Sequence, residues 1–186
     1  MFTYHDESTA PSAALPLIAA SRRAYGFLPT LHSVLAESPA TYRAYLETFR
    51  IFAEETALSP LEQHVVMMVA NVTNRCHYCT AGHSFLMKLA NLPPEVIEAL
   101  RENQPLPDAK LEELRSFAQD VLDAKGHVGD TRLARFLDAG YTRQQALDVL
   151  TGLATKLLSN FTNALAHTKL DPAVEPYRWT HPDDRG

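Results

Sequence analysis

The chain has 186 residues, of which 46% are hydrophobic and 21% charged, and its formal net charge is −5. This length and composition are typical of a single globular domain with a buried core and exclude extended disorder. The negative charge argues against nucleic acid or an anionic membrane as the main partner, because both bind basic surfaces.

The first twenty residues, MFTYHDESTAPSAALPLIAA, place acidic residues before a short apolar run and contain no basic segment. This pattern does not fit a signal peptide, and no stretch approaches the roughly 18 apolar residues of a membrane span. We therefore expect a cytoplasmic protein. In that compartment two closely spaced cysteines are more often reactive or metal-binding than a structural disulfide.

Apolar residues recur at helical spacing and strand-like alternation is rare, which predicts an all-α fold. The predicted helices are 12–25, 28–37, 39–54, 61–73, 76–89, 93–103, 108–124, 131–138 and 143–167. Asp130 is the expected N-cap of the eighth. The third helix has an aromatic face, which we interpret as core or subunit interface. We divide the chain into an N-terminal helical extension (1–37), a helical domain (38–170) and a C-terminal tail (171–186).

Two helix starts carry the same capping pattern. Ser59 precedes proline and is followed three residues later by Glu62, and Thr142 is followed at the same distance by Gln145. Such pairs form capping boxes, in which each partner's side chain bonds the other's backbone. Placing the two boxes in register gives the hypothesis of a weak internal two-fold repeat.

The segment NRCHYCTAGHS contains the only two cysteines of the sequence, Cys76 and Cys79, with His83 four residues after the second. In the first turn of a helix both thiols lie near its positive end, and Arg75 adds a charge, so a thiolate is favoured. The spacing of one turn permits a disulfide. It also puts His83 on the face of Cys79, where it can exchange a proton directly or through one water.

These residues alone leave three interpretations open. The favoured one is a redox dithiol, and the second is a pair of inert buried thiols. The third is a non-catalytic zinc-binding or assembly protein, with Cys76, Cys79, His83 and either His64 or His77 as tetrahedral ligands. Other histidines are interpreted as structural or solvated: His5, His32, His77, His127, His167 and His181.

The stretch LSPLEQHVVMMVANVTNRCHYCTAGHS resembles the carboxymuconolactone decarboxylase superfamily and, within it, the alkyl hydroperoxidase D-like proteins. The likeness lies in the helix opening LSP, followed by C-x-x-C-x-x-x-H, and it extends over about residues 38–167. It implies an antiparallel helical bundle that assembles into dimers, trimers or hexamers. It also implies cofactor-free reduction of hydroperoxides, through a Cys76–Cys79 disulfide that a dithiol or thioredoxin-like partner reduces.

One position departs from the family's pattern. A glutamate is expected twelve residues before the first cysteine, where it completes a proton relay with the histidine, and this sequence has His64 there. His64 either replaces the carboxylate as a base, or packs in the core and leaves the relay interrupted and the activity weak. We expect Cys79 to attack the peroxide because His83 shares its face, and Cys76 to be the resolving thiol exposed to the reductant.

Overall fold

The computed structural model describes residues 2–186, which form nine α-helices and three short 3-10 helices without any strand. The α-helices are α1 (Leu15–Tyr25), α2 (Thr30–Leu35), α3 (Pro39–Glu55), α4 (Pro60–Thr73), α5 (His77–Leu89), α6 (Pro94–Arg101), α7 (Ala109–Asp123), α8 (Gly129–Asp138) and α9 (Arg143–Ala166). The 3-10 helices are Ser12–Ala14, Pro172–Tyr177 and Pro182–Asp184. The prediction of an all-α fold is confirmed. No helix among residues 2–186 is long and apolar enough to cross a membrane.

Both predicted capping boxes form. At the start of α4, the Ser59 N–H donates to the Glu62 carboxylate (2.8 Å) and the Glu62 N–H donates to the Ser59 hydroxyl (3.4 Å). At the start of α9, Thr142 and Gln145 make the same pair of bonds, at 2.9 and 3.1 Å. These bonds satisfy N–H groups that a helix start leaves unpaired, so each sequence pattern fixes where its helix begins.

The predicted cap of α8 is wrong. The helix begins at Gly129 after Val128, which makes no side-chain cap, so Asp130 already lies inside the first turn. Gly129 adopts a positive φ of 74°, a conformation that glycine reaches without strain. The helix therefore begins two residues earlier than it would with Asp130 as its N-cap.

The repeat hypothesis does not extend beyond the capping boxes. After the first box the chain forms two helices, because α4 stops before Arg75, which takes a left-handed φ of 52°. After the second box it forms the single 24-residue helix α9. The residue of α9 that corresponds to Arg75 is Leu158, a strong helix former, so the helix runs on.

The helix α4 lies at the centre of the bundle and packs against α5, α7 and α9. Its apolar residues are buried over most of its circumference, as the sequence predicts. Gly152 of α9 lies against the rings and methyl groups of α3 and α4. A Cβ atom there would be 2.6 Å from Phe52 and 2.8 Å from Val66. The close approach at Gly152 positions the next turn of α9, which carries Lys156, beside α5.

Both ends of the chain pack onto the bundle. The buried Asp171 carboxylate accepts hydrogen bonds from the Thr30 N–H (2.9 Å) and hydroxyl (2.6 Å) in α2, and from the Tyr78 hydroxyl (2.5 Å) in α5. Farther along, the indole N–H of Trp179 donates to the Arg101 carbonyl (2.9 Å). The N-terminal helices and the segment 171–186 are thus joined to the helix that carries the cysteines.

Candidate active site

The two cysteines begin α5, as predicted. Cys76 is the N-cap residue, and its sulfur accepts a hydrogen bond from the Cys79 N–H at 3.4 Å. Both are free thiols, with exposed fractions of 5% for Cys76 and 3% for Cys79. Cys76 is therefore buried, in contrast to the expectation that it is open to a reductant.

The helix α9 surrounds the two sulfurs with polar side chains. The Asn163 amide donates to the Cys79 sulfur at 3.2 Å and to the Cys76 sulfur at 3.8 Å, and the Cys79 sulfur lies 3.7 Å from the Ser159 hydroxyl. One amide thus contacts both sulfurs and holds them on the same side of α9. The sequence prediction does not include these contacts, because they join residues at least 80 positions apart.

His83 pairs with a lysine rather than with a thiol. Its Nε2 atom is 3.0 Å from Nζ of Lys156, and the two side chains are 5% and 1% exposed. The His64 ring lies at 75° to the His83 ring, with the centroids 5.9 Å apart. The structure therefore brings together the four residues singled out in the sequence, and it inserts Lys156 among them.

A signal for Lys156 is present in the sequence. Lys156, Ser159 and Asn163 recur at three- and four-residue steps, on the helix face that also carries the buried Gly152 and Val149. Polar residues on a core-facing stripe require partners, since a buried unpaired polar group is costly. The stripe therefore marks α9 as a helix that faces a polar site.

The surroundings of Cys79 favour its thiolate. Burial opposes ionisation, but the hydrogen bond with Cys76, the positive charge of Lys156 and the hydrogen bond with Ser159 together hold the pKa of Cys79 well below its ordinary value. The hydrogen bond to Cys79, burial and the charge on Cys79 raise the pKa of Cys76. Cys79 is therefore the thiol of the pair that ionises more readily.

The two histidines are neutral near pH 7. Burial, the charge of Lys156 and His64 lower the pKa of His83 well below its ordinary value, and burial lowers the pKa of His64. A neutral His83 can only accept at Nε2 from an ammonium group, so its own hydrogen lies on Nδ1. Among residues 2–186 the Nδ1 atoms of both histidines are buried without a hydrogen-bond partner.

Arg75 does not supply the charge that the sequence assigns to it. Its guanidinium forms ion pairs with Asp183 (3.0 Å) and Asp184 (2.5 Å), and all three side chains are about half exposed or more. Both carboxylates come from the end of the chain. The cation that acts on the thiols is instead Lys156, which lies inside the protein.

A cavity of about 530 Å³ reaches Cys79. The side formed by α5 and α9, here called the reaction wall, carries the reactive groups: Cys79, His83 and Lys156. The side formed by the first three helices, here called the aromatic wall, carries mainly rings: Tyr25, His32, Tyr45 and Phe49. The aromatic face of α3 is therefore part of a cavity, which corrects its interpretation as core or subunit interface alone.

No group of three histidine, cysteine or acidic side chains that could hold a metal ion occurs among residues 2–186. A zinc ion could bind His83 through either ring nitrogen. Nε2 accepts from Lys156, and Nδ1 is buried on the other side of the ring. A cation already occupies the first position, and a second would be repelled.

Residues 39–120 match the family model described as the carboxymuconolactone decarboxylase family. Over this segment, which is less than half of the 186 residues, the chain is similar to that family. The matched segment contains Cys76, Cys79 and His83, whereas Lys156 and His32 lie outside it. None of the curated proteins matches the sequence significantly.

The fold is that of the alkyl hydroperoxidase D-like proteins. A peroxidase-related protein of Ralstonia eutropha JMP134, an alkylhydroperoxidase AhpD core, has a TM-score of 0.82 and 19% identity over 93% of each chain. A peroxidase-related protein of Silicibacter sp. TM1040 has a TM-score of 0.72 and 19% identity over 91% of each chain. The debrominase Bmp8, in a cysteine-to-alanine variant with 2,3,4-tribromopyrrole, has a TM-score of 0.78 and 16% identity over 95% of each chain. Identities this low show a common fold alone.

Proposed function

We propose that the protein is a thiol-dependent peroxidase that reduces organic hydroperoxides through the Cys76–Cys79 pair. The observation that carries the proposal is the Cys79 sulfur on the wall of a cavity, with its pKa lowered and a second thiol one helical turn away. A thiolate is the nucleophile in such chemistry, and a neighbouring thiol completes a two-electron cycle.

In the first step the Cys79 thiolate attacks one peroxide oxygen. A sulfur–oxygen bond forms, the O–O bond breaks, and two electrons pass from sulfur to the departing alkoxide. The Lys156 ammonium stabilises that alkoxide and protonates it to the alcohol. Lys156 recovers its proton from the Cys79 thiol once the reductant has restored the pair, and His83, whose Nε2 accepts from Lys156, holds the amine in position.

In the second step the Cys76 thiol attacks the sulfenic acid on Cys79. The disulfide forms, the sulfur–oxygen bond breaks, and water leaves with the Cys76 proton. Asn163 contacts both sulfurs and so keeps them in reach of each other. A dithiol or thioredoxin-like reductant then supplies two electrons and two protons to restore the thiols.

The test is the mass of the intact protein before and after one equivalent of cumene hydroperoxide. We expect a loss of about two mass units, reversed by a dithiol, as the disulfide forms. Cys79→Ser should show no change, and Cys76→Ser should gain about 16 units and stop at the sulfenic acid. Sustained turnover by either single variant would disprove the mechanism.

Reductive removal of bromine from an aromatic ring is a second candidate, and the aromatic lining of the cavity beside Cys79 favours it. The balanced reaction converts an aryl bromide and two thiols to the arene, a disulfide, bromide and a proton. Release of bromide from a bromopyrrole in the presence of a dithiol, measured against Cys79→Ser, tests this activity. Equal release by both proteins would eliminate it.

The cytoplasmic location, the reductant and assembly into homo-oligomers remain predictions. Light scattering of the purified protein measures the number of subunits. Elemental analysis after purification without chelator tests the zinc alternative, for which about one zinc per chain is expected.

A further inference from the structure

The aromatic wall contains a buried imidazole among three tyrosine rings. His32 is 3% exposed and lines the cavity. The rings of Tyr25, Tyr42 and Tyr45 meet it edge-on, with centroids 5.5, 5.3 and 5.7 Å away. Such packing fixes the plane of the imidazole ring. The orientation of His32 is therefore set before any ligand enters.

One nitrogen of His32 is bound and the other is free. Nδ1 lies 2.6 Å from the buried Ser21 hydroxyl, and Nε2 makes no hydrogen bond within residues 2–186. The Ser21 hydroxyl also makes a hydrogen bond with Tyr42. Burial lowers the pKa of His32 to about 4, so the ring is neutral. Its Nε2 atom is a polar group on the cavity lining without a protein partner.

The Tyr45 hydroxyl has no hydrogen-bond partner either. Tyr45 is 7% exposed, lines the cavity beside His32, and forms no side-chain hydrogen bond within the described part of the chain. Within residues 2–186, neither this hydroxyl nor Nε2 of His32 is among the side-chain atoms sealed from solvent without a partner. Both groups therefore open on the cavity, where an acceptor atom can reach the Tyr45 hydroxyl.

The charge near the Tyr45 hydroxyl determines what kind of acceptor fits. Lys156 lies on the reaction wall, whereas the Asp171 carboxylate, which accepts from Thr30 and Tyr78, lies close enough to His32 for its charge to act on that ring. A fixed negative charge in an apolar cavity repels an anionic ligand. The acceptor is thus a neutral oxygen, such as that of a ketone or an ether.

We propose that the Tyr45 hydroxyl, held beside His32, donates to a neutral acceptor oxygen of the substrate, on the part of the molecule remote from the group that reacts at Cys79. The substrate is then an aromatic hydroperoxide that carries a carbonyl or ether oxygen. This inference rests on the proposed peroxidase for its reaction, but not for its binding step. The 530 Å³ of the cavity lies within the 300–1,000 Å³ that is usual for small-molecule sites.

The kinetic test compares cumene hydroperoxide with its 4-acetyl derivative. Tyr45→Phe removes a hydroxyl that no residue 2–186 engages, so the fold loses no bond. We expect the preference for the acetyl compound, measured as the ratio of the two kcat/KM values, to fall about 5- to 10-fold, the usual loss for one hydrogen bond. Tyr42→Phe is the matched control: it makes the same change one turn earlier, at a hydroxyl that bonds the Leu17 carbonyl. It should leave the ratio unchanged.

The binding test separates this inference from the peroxidase reaction. Calorimetry with Cys79→Ser measures the affinity of the 4-acetyl alcohol, which is the reaction product and requires no turnover. Adding Tyr45→Phe should weaken binding about 5- to 10-fold. The 4-carboxylate analogue should bind more weakly than the ketone. Equal affinity with and without Tyr45→Phe, or tighter binding of the carboxylate, would overturn the proposal even if the peroxidase reaction is real.

Discussion

The two walls of the cavity differ in how their polar groups are satisfied. On the reaction wall the Cys79 sulfur, Lys156 and Nε2 of His83 all have partners, most of them supplied by α9. On the aromatic wall the free groups of His32 and Tyr45 have none within residues 2–186. Groups that already have partners are held in position for a reaction, whereas free groups are available to a ligand. The comparison assigns the chemical step to the reaction wall and the choice of substrate to the aromatic wall.

Removing the charge of the reaction wall should have the largest effect. Lys156→Met keeps the length of the side chain but deletes the cation that lowers the pKa of Cys79. A lowered pKa means that the thiolate is present below the ordinary thiol range, so its loss moves ionisation to higher pH. We expect alkylation of Cys79 by iodoacetamide at pH 7 to slow about 10-fold or more, with the midpoint of the pH profile shifted upward.

The same variant also tests the comparison itself. Lys156→Met should slow both cumene hydroperoxide and its 4-acetyl derivative by the same factor, because the lysine acts on the sulfur and not on the remote oxygen. A change in the ratio of the two kcat/KM values would mean that the reaction wall also contributes to the choice of substrate. An unaltered pH profile of Cys79 alkylation would show that Lys156 does not act on the Cys79 thiolate.

A smaller effect is expected from the contact that positions the reaction wall. Gly152→Ala places a methyl group 2.6 Å from the Phe52 ring and 2.8 Å from Val66, so α9 must shift. Overpacking of this kind costs ~1–3 kcal/mol, which urea denaturation measures as a lower free energy of unfolding. Gly82→Ala is the matched control, since a Cβ there meets nothing within 4 Å. It should leave the stability equal or slightly higher, and a loss as large as that of Gly152→Ala would contradict the packing argument.

The smallest effect is expected at the cation next to the cysteines in sequence. Arg75→Met breaks the ion pairs with Asp183 and Asp184, which are exposed. Exposed ion pairs contribute ~0–1 kcal/mol, and their charge is screened by salt. The rate of Cys79 alkylation at pH 7 should therefore change by less than about 2-fold. A loss like that of Lys156→Met would show that Arg75 acts on the thiolate after all.

Local features of this protein are readable from its sequence. The capping boxes at Ser59 and Thr142, and the helix start at Cys76, depend on residues within one turn of each other, so their spacing is sufficient evidence. The cysteine spacing also leads to the family whose model matches residues 39–120. His64 and His83 lie together because α4 and α5 are neighbours in sequence and in space.

The features that depend on distant parts of the chain are not readable in this way. Lys156 meets His83 across 73 residues, and Asp171 meets Tyr78 across 93. Spacing gives no information about which of many buried polar residues will meet. Arg75 illustrates the opposite case. It is next to Cys76 in sequence, but its guanidinium forms an ion pair with Asp183 near the C-terminal end of the chain.

The bonds of Asp171 have a consequence for how relatives of this protein diverge. They join a residue near one terminus to α2 near the other, and both lie outside the segment 39–120 that the family shares. The two cysteines lie within this matched segment, whereas Tyr25, His32 and Asp171 of the cavity lining come from the two ends of the chain. New substrate preferences can therefore arise by alteration of the termini while the dithiol is inherited intact.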